Sequence, residues 1–256
     1  MRDSSFNCRA HSVHSQRDQQ SLLYSTQIGQ LTSGLLERNS DAGTIAMFVG
    51  HFAIAFLLWR FFPQVPLPVV LIAVSFPDLL WSLLVPAGIE KVRINPDSPL
   101  QKYVVFEKFP YSHSLVLGSV LSLPIGLLIA ALLNNPVIVP VFVAGSASHW
   151  LLDTVVHLKD LPILGFDGDR KVGAGLWKRG PLAFIVEFVF YTIVSLFALS
   201  GLPLVYALIL GGVFHVINLP SFFGSNRKNS VKSSNAYAGL ALVGFGSFTL
   251  IASLII

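Results

Sequence analysis

Cysteine is almost absent: Cys8 is the only one in 256 residues. That excludes an internal disulfide framework and any cysteine-ligated zinc site. Charge is scarce as well. Asp, Glu, Lys and Arg make up 12% of the chain, about half the ordinary ~25%. The net charge of +4 is small. No basic stripe with interleaved aromatics is present, which excludes a nucleic-acid partner. No internal repeat is visible, and the first 46 residues contain no secretory apolar run. What fills the chain instead is apolar: 53% hydrophobic residues and a mean hydropathy of +0.68. A soluble domain of this length does not need so much apolar surface. The composition defines an all-α integral membrane protein whose first partner is the lipid bilayer.

Residues 1–46 differ from the rest, being rich in Ser, Gln, Asn and Arg. Arg2, Arg9, Arg17 and Arg38 resemble a transit peptide, but Asp3, Asp18, Glu37 and Asp41 argue against one. The segment is expected to be a disordered extension. Met47 then opens the membrane part directly and is an alternative start. The domain division is therefore 1–46 and 47–256.

From Met47 onward seven apolar runs follow at short intervals, roughly 46–62, 66–88, 113–133, 136–158, 181–200, 203–219 and 236–256. Each approaches the ~17–25 residues that span a bilayer, the first and sixth being shortest. Pro77 and Pro124 fall inside runs. The connections alternate in charge. Those near 63–65, 134–135 and 201–202 carry no Lys or Arg, whereas 89–112, 159–180 and 220–235 are basic. With seven spans, all three basic loops lie on the side of the N-terminus. The positive-inside rule makes that side cytoplasmic.

Inside the runs stand His51, Asp78, His113, His149, Asp153, His157, Glu187 and His215. The derived topology puts all of them in the cytoplasmic half. Ionisable groups in lipid are costly and mark function. In HWLLDTVVH, residues 149–157, the spacing of four stacks His149, Asp153 and His157 on one helix face. Imidazole and carboxylate are ligands of zinc and related divalent ions. His149 and Asp153 can offer two ligands to one ion, and His51, Asp78 and His113 come from three other helices. A structural His–Asp pair, or a proton or ion pathway, would use the same residue types. In the loop 166–180, Asp167-Gly168-Asp169 reads as a turn more than as a calcium loop. Lys171, Gly173 and Gly175 are candidates for holding an anionic head group. Trp81 and Trp177 read as interface anchors.

The order Gly50-His51, Pro77-Asp78, Ser112-His113-Ser114 and Ser148 to Asp153 resembles the bacterial membrane-bound metal-dependent hydrolases, a family long carried as a domain of unknown function. The resemblance implies a bacterial inner-membrane location and His51, Asp78, His113, His149 and Asp153 as metal ligands. The chain departs from the family pattern in two places. Where PDxDH is common, it has Leu80 and Trp81, and where a histidine-arginine pair often precedes the third motif, Lys108 stands. Fewer ligands favour one ion over two. The expected activity is hydrolysis with a divalent metal, zinc or else manganese. Glu187 and Asp153 are the candidate catalytic carboxylates, Glu187 as general acid/base, and His157 is a ligand-orienting group. The substrate class is a lipid or other amphiphile, for example a lipid phosphoester. The rival expectation is a transporter or permease that uses the same His, Asp and Glu residues for protons or metal ions. A structural metal is the third.

Overall fold

A computed structural model of the protein describes residues 49–224, 228–229 and 231–256. The polar extension 1–46, the alternative start at Met47 and Arg227 lie outside the described residues. The helices are α1 (Gly50–Phe61), α2 (Leu67–Leu84), α3 (Leu115–Leu132), α4 (Ile138–Val156), α5 (Gly180–Ala198), α6 (Gly201–Ile217), α7 (Leu219–Phe223) and α8 (Ser234–Ile255). Five of the expected spans are long and apolar enough to cross a bilayer: α2, α3, α4, α5 with the turn before it, and α8. The other two, α1 and α6, are apolar helices of 12 and 17 residues. These are the first and sixth runs, the shortest in the sequence.

The exposed surface supports the membrane reading. Only 22% of α3 is buried although it is the most hydropathic of these helices. Leu132 is 74% exposed and Leu254 75%. Apolar side chains displayed around whole helices need a lipid solvent. At the centre lies α2, more than half buried, and packed against α1, α4 and α8. α3 covers α4, α5 covers α1, and α6 lies between α5 and α8. Two breaks in helical propensity are absorbed here. Pro77 and Pro124 sit inside the continuous helices α2 and α3. The Pro-Asp pair is therefore not a turn, and Asp78 projects from a helix.

Local chemistry sets the ends. Ser114 caps α3 by accepting from Gly118 N at 3.1 Å, and Ser233 caps α8 by accepting from Ala236 N at 3.2 Å. The chain also contains sheet, which the apolar pattern did not foretell. Strands β1 (Lys91–Arg93) and β2 (Val105–Lys108) pair antiparallel, as do β3 (Leu161–Pro162) and β4 (Lys171–Val172). Both ribbons lie in basic loops, at the same end of the bundle as the histidines. Ser234 Oγ donates to the Val92 carbonyl at 2.7 Å and ties α8 to the first ribbon.

One ionisable residue escapes the sorting by depth. Arg60 lies in the last turn of α1, at the far end from the histidines. Its guanidinium donates to the Phe197 carbonyl at 2.5 Å and covers the Phe197 ring.

Candidate metal centre

All five expected ligands meet. His51 is in the first turn of α1, Asp78 in the second half of α2, and His113 just before α3. His149 and Asp153 lie one turn apart on α4. Gly145, one turn before His149, lets α4 reach α2: a Cβ there would stand 2.8 Å from the Ala73 Cβ. The close crossing brings the His149 ring to α2, where Nδ1 donates to the Val74 carbonyl at 2.7 Å.

The separations are specific. His51 Nε2 lies 3.4 Å from Asp153 Oδ1, and His149 Nε2 lies 3.3 Å from Asp153 Oδ2 and 3.4 Å from Asp78 Oδ2. His113 Nε2 lies 3.3 Å from Asp78 Oδ1 and 3.8 Å from Asp153 Oδ2. These separations lie beyond the usual N–H···O hydrogen-bond length of about 2.7–3.2 Å. Ligands held 2.0–2.1 Å from a tetrahedral ion stand about 3.3–3.4 Å from one another. Two overlapping trios, His51–His149–Asp153 and Asp78–His113–His149, each bring their ligand atoms within 4.8 Å of one another.

The far ring nitrogens set the tautomers. A carbonyl only accepts, so His149 carries its proton on Nδ1. Ser112 Oγ donates to Glu90 Oε2 at 2.6 Å, and so it accepts from His113 Nδ1 at 2.7 Å. His157 Nδ1 meets Asp160 Oδ1 at 3.0 Å. In each neutral ring Nε2 then keeps its lone pair, and all three face carboxylate oxygens. Carboxylate oxygens facing these buried nitrogens call for a proton or a metal ion between them. Asp153 Oδ2 is buried with no hydrogen-bond partner among the described residues. The residues therefore fit a divalent ion.

Glu90 was missed by sequence reasoning. It precedes β1 in a loop read only for its positive charge. Its Oε1 accepts from Tyr111 N at 2.8 Å and Ser112 N at 3.0 Å. Burial pushes the Glu90 carboxyl above the ordinary glutamate value, against these hydrogen bonds, which favour the ionised form. Carboxylate, hydroxyl and imidazole form a chain that orients a ligand from behind.

A small cavity, partly open to solvent, adjoins the cluster. His51, Asp78, His113 and Asp153 line it, with Trp81 and Trp177 among its walls. Asp78 is its accessible ligand, with a side chain 17% exposed against 4% or less for the other four. His157, whose Nε2 is 3.8 Å from Asp153 Oδ2, lines the same cavity. The Trp177 ring lies against it with centroids 4.4 Å apart. Trp177 is thus a cavity wall as well as a residue near the helix ends.

The loop glycines have a packing role. Gly173 adopts φ +147°, and a Cβ there would lie 2.5 Å from the His157 carbonyl oxygen. Gly175 N donates to that same oxygen at 2.7 Å. The pair closes the end of α4 and delivers Trp177 to His157. Lys171 is exposed in β4. Asp169 Oδ2 accepts from the loop amide of Gly165 at 2.8 Å, as a turn residue does.

Glu187 and His215 stand elsewhere. Glu187 Oε1 accepts from Val49 N at 2.6 Å, at the start of the helix that carries His51. His215 Nδ1 is 3.9 Å from that oxygen, and its ring stacks on Phe184 and Phe188. Neither residue lines the cavity.

Fold and site together define an α-helical membrane protein with a buried His/Asp cluster able to hold a metal ion. Compared with known proteins, the chain matches no family model, no curated protein and no solved structure.

Proposed function

We propose that the protein is an integral membrane hydrolase, with a divalent ion, zinc or manganese, held by His51, Asp78, His113, His149 and Asp153. The observation that supports this most is the convergence of three imidazole Nε2 atoms on two carboxylates at ligand spacing. The resemblance of its four motifs to the membrane-bound metal-dependent hydrolases points the same way. Such an ion supplies Lewis-acid polarisation of a scissile bond and a lowered pKa for water.

The chain's own groups divide the remaining work. Asp78 faces the cavity and marks the side from which substrate and water reach the site. His157, held through Nδ1 by Asp160, offers Nε2 to the cavity and is placed to accept or return a proton. Phe106, Trp177 and Phe245 give the cavity aromatic walls suited to an amphiphile. The basic loops at this end support a site on the cytoplasmic side, by the positive-inside rule. A transporter needs polar groups along the whole path; among the described residues Arg60 is the charged side chain at the far end of the bundle, and it is bound to a backbone carbonyl.

Metal content by mass spectrometry on detergent-purified protein tests the reading. About one tightly held ion per chain is expected, lost in His149→Ala and Asp153→Ala. Folded wild-type protein without stoichiometric metal would move these residues to a proton or ion pathway.

A further inference from the structure

The cavity carries polar groups that the metal cluster does not use. Trp81 lies three residues after Asp78 on α2, so the two share a helix face. Its side chain lines the cavity and is 2% exposed. Phe106 and Tyr237 pack on its ring, with centroids 5.8 and 5.9 Å away. Its Nε1–H is buried and has no hydrogen-bond partner among the described residues. An indole N–H can only donate, and a buried donor left unpaired is costly. Another buried tryptophan shows the ordinary solution: Trp150 Nε1 donates to the Pro162 carbonyl at 2.8 Å. Gln101 faces the same cavity. Tyr237 donates to Gln101 Oε1 at 2.9 Å, which engages the amide oxygen and leaves the amide N–H groups to donate. Trp81 and Gln101 thus bring neutral donors to the cavity wall beside the cluster, and among the described residues no Lys or Arg lines it.

We propose that Trp81 and Gln101 form a head-group subsite that takes a non-reacting oxygen of a phosphodiester lipid. This rests on the metal-dependent reading above. The charge balance selects the class. Two carboxylates and one divalent ion sum to zero, so nothing nearby offsets a dianion. A phosphodiester carries one charge, and neutral N–H donors serve its oxygens. A phosphomonoester carries nearly two and calls for a guanidinium or ammonium partner. The aromatic walls suit the apolar portion of the same molecule.

The test uses full-length protein in detergent, with tryptophan labelled at the indole nitrogen. Four tryptophans give four indole resonances, and Trp81→Phe identifies one of them. Phosphatidylglycerol is the diester probe and phosphatidic acid the monoester probe. The Trp81 resonance should move saturably with phosphatidylglycerol and require a higher concentration of phosphatidic acid. Both Trp81→Phe and Gln101→Leu should weaken phosphatidylglycerol binding by about tenfold, the loss of one hydrogen bond to a charged acceptor. A Trp81 resonance unmoved by either lipid overturns the subsite, and equal or tighter binding of phosphatidic acid overturns the diester class. Metal content measured on the same samples separates the two readings. Metal-loaded protein with an unmoved resonance overturns the subsite alone. Metal-free protein whose resonance still moves overturns the metal reading and, with it, the charge balance that selects a diester, while the contact of Trp81 with lipid stands.

Discussion

Two buried groupings of histidine and carboxylate lie in this bundle, and their difference explains which one can do chemistry. At the centre of α1, α2 and α4, three imidazoles surround two aspartates, and the distal nitrogens of His113 and His149 are fixed from behind. Between α5 and α6, Glu187 and His215 are 3.9 Å apart. There one carboxylate oxygen accepts from a backbone amide and the imidazole is stacked on two phenyl rings. The residue types are the same. What differs is the number of lone pairs aimed at one point and the support that keeps them aimed. The first grouping could hold a cation. The second joins helices, and Glu187 pins the start of the helix that bears His51.

The comparison breaks most sharply at Asp153, which faces His51, His113, His149 and His157. Asp153→Ala should abolish stoichiometric metal binding in folded protein, as read by mass spectrometry. Full metal content in that variant would place the ion elsewhere. The next largest effect is expected behind His113. Ser112→Ala removes the hydroxyl between Glu90 and the ring. Metal affinity, measured by competition with a chelator, should fall about 10–100-fold, as for other groups behind ligands. Ser112→Thr keeps the hydroxyl and should restore most of it. A merely structural serine would leave affinity unchanged in both variants.

The second grouping should respond in the opposite way. Glu187→Leu leaves the buried Val49 N–H unpaired. It should cost about 1–3 kcal/mol of stability while the purified protein keeps its metal. Loss of metal with stability intact would join Glu187 to the cluster. The smallest effect concerns Glu90, whose carboxyl is raised by burial. A group raised in the folded state contributes stability below its ordinary pKa of about 4.3 and loses it as pH rises through the folded value. Thermal melts across this range should show wild type losing stability relative to Glu90→Gln as pH rises. A difference constant with pH would contradict this.

Much of the first grouping was legible in the sequence, because helical periodicity is local. The spacing of four in HWLLDTVVH put His149 and Asp153 on one face, and the bundle keeps them there. Hydropathy and loop charge brought His51, Asp78 and His113 to the same depth. Depth does not fix azimuth, however. Glu187 shares the level of the cluster but turns to Val49, because α5 packs on α1 rather than on α4. Glu90 was hidden in a loop read for its basic residues. Only the ribbon of β1 and β2 folds that loop back onto Ser112, 22 positions away. Trp81 and Trp177 looked like interface anchors because indoles favour that depth. Their cavity-lining positions depend on packing between segments far apart in the chain.

The central claim is that imidazole nitrogens and carboxylate oxygens of the first grouping share one ion. X-ray absorption at the metal edge of natively purified protein in detergent tests it most directly. The account expects a nitrogen and oxygen shell at about 2.0–2.2 Å with imidazole scattering and no sulfur. A sulfur shell at about 2.3 Å, or no bound metal, would contradict it.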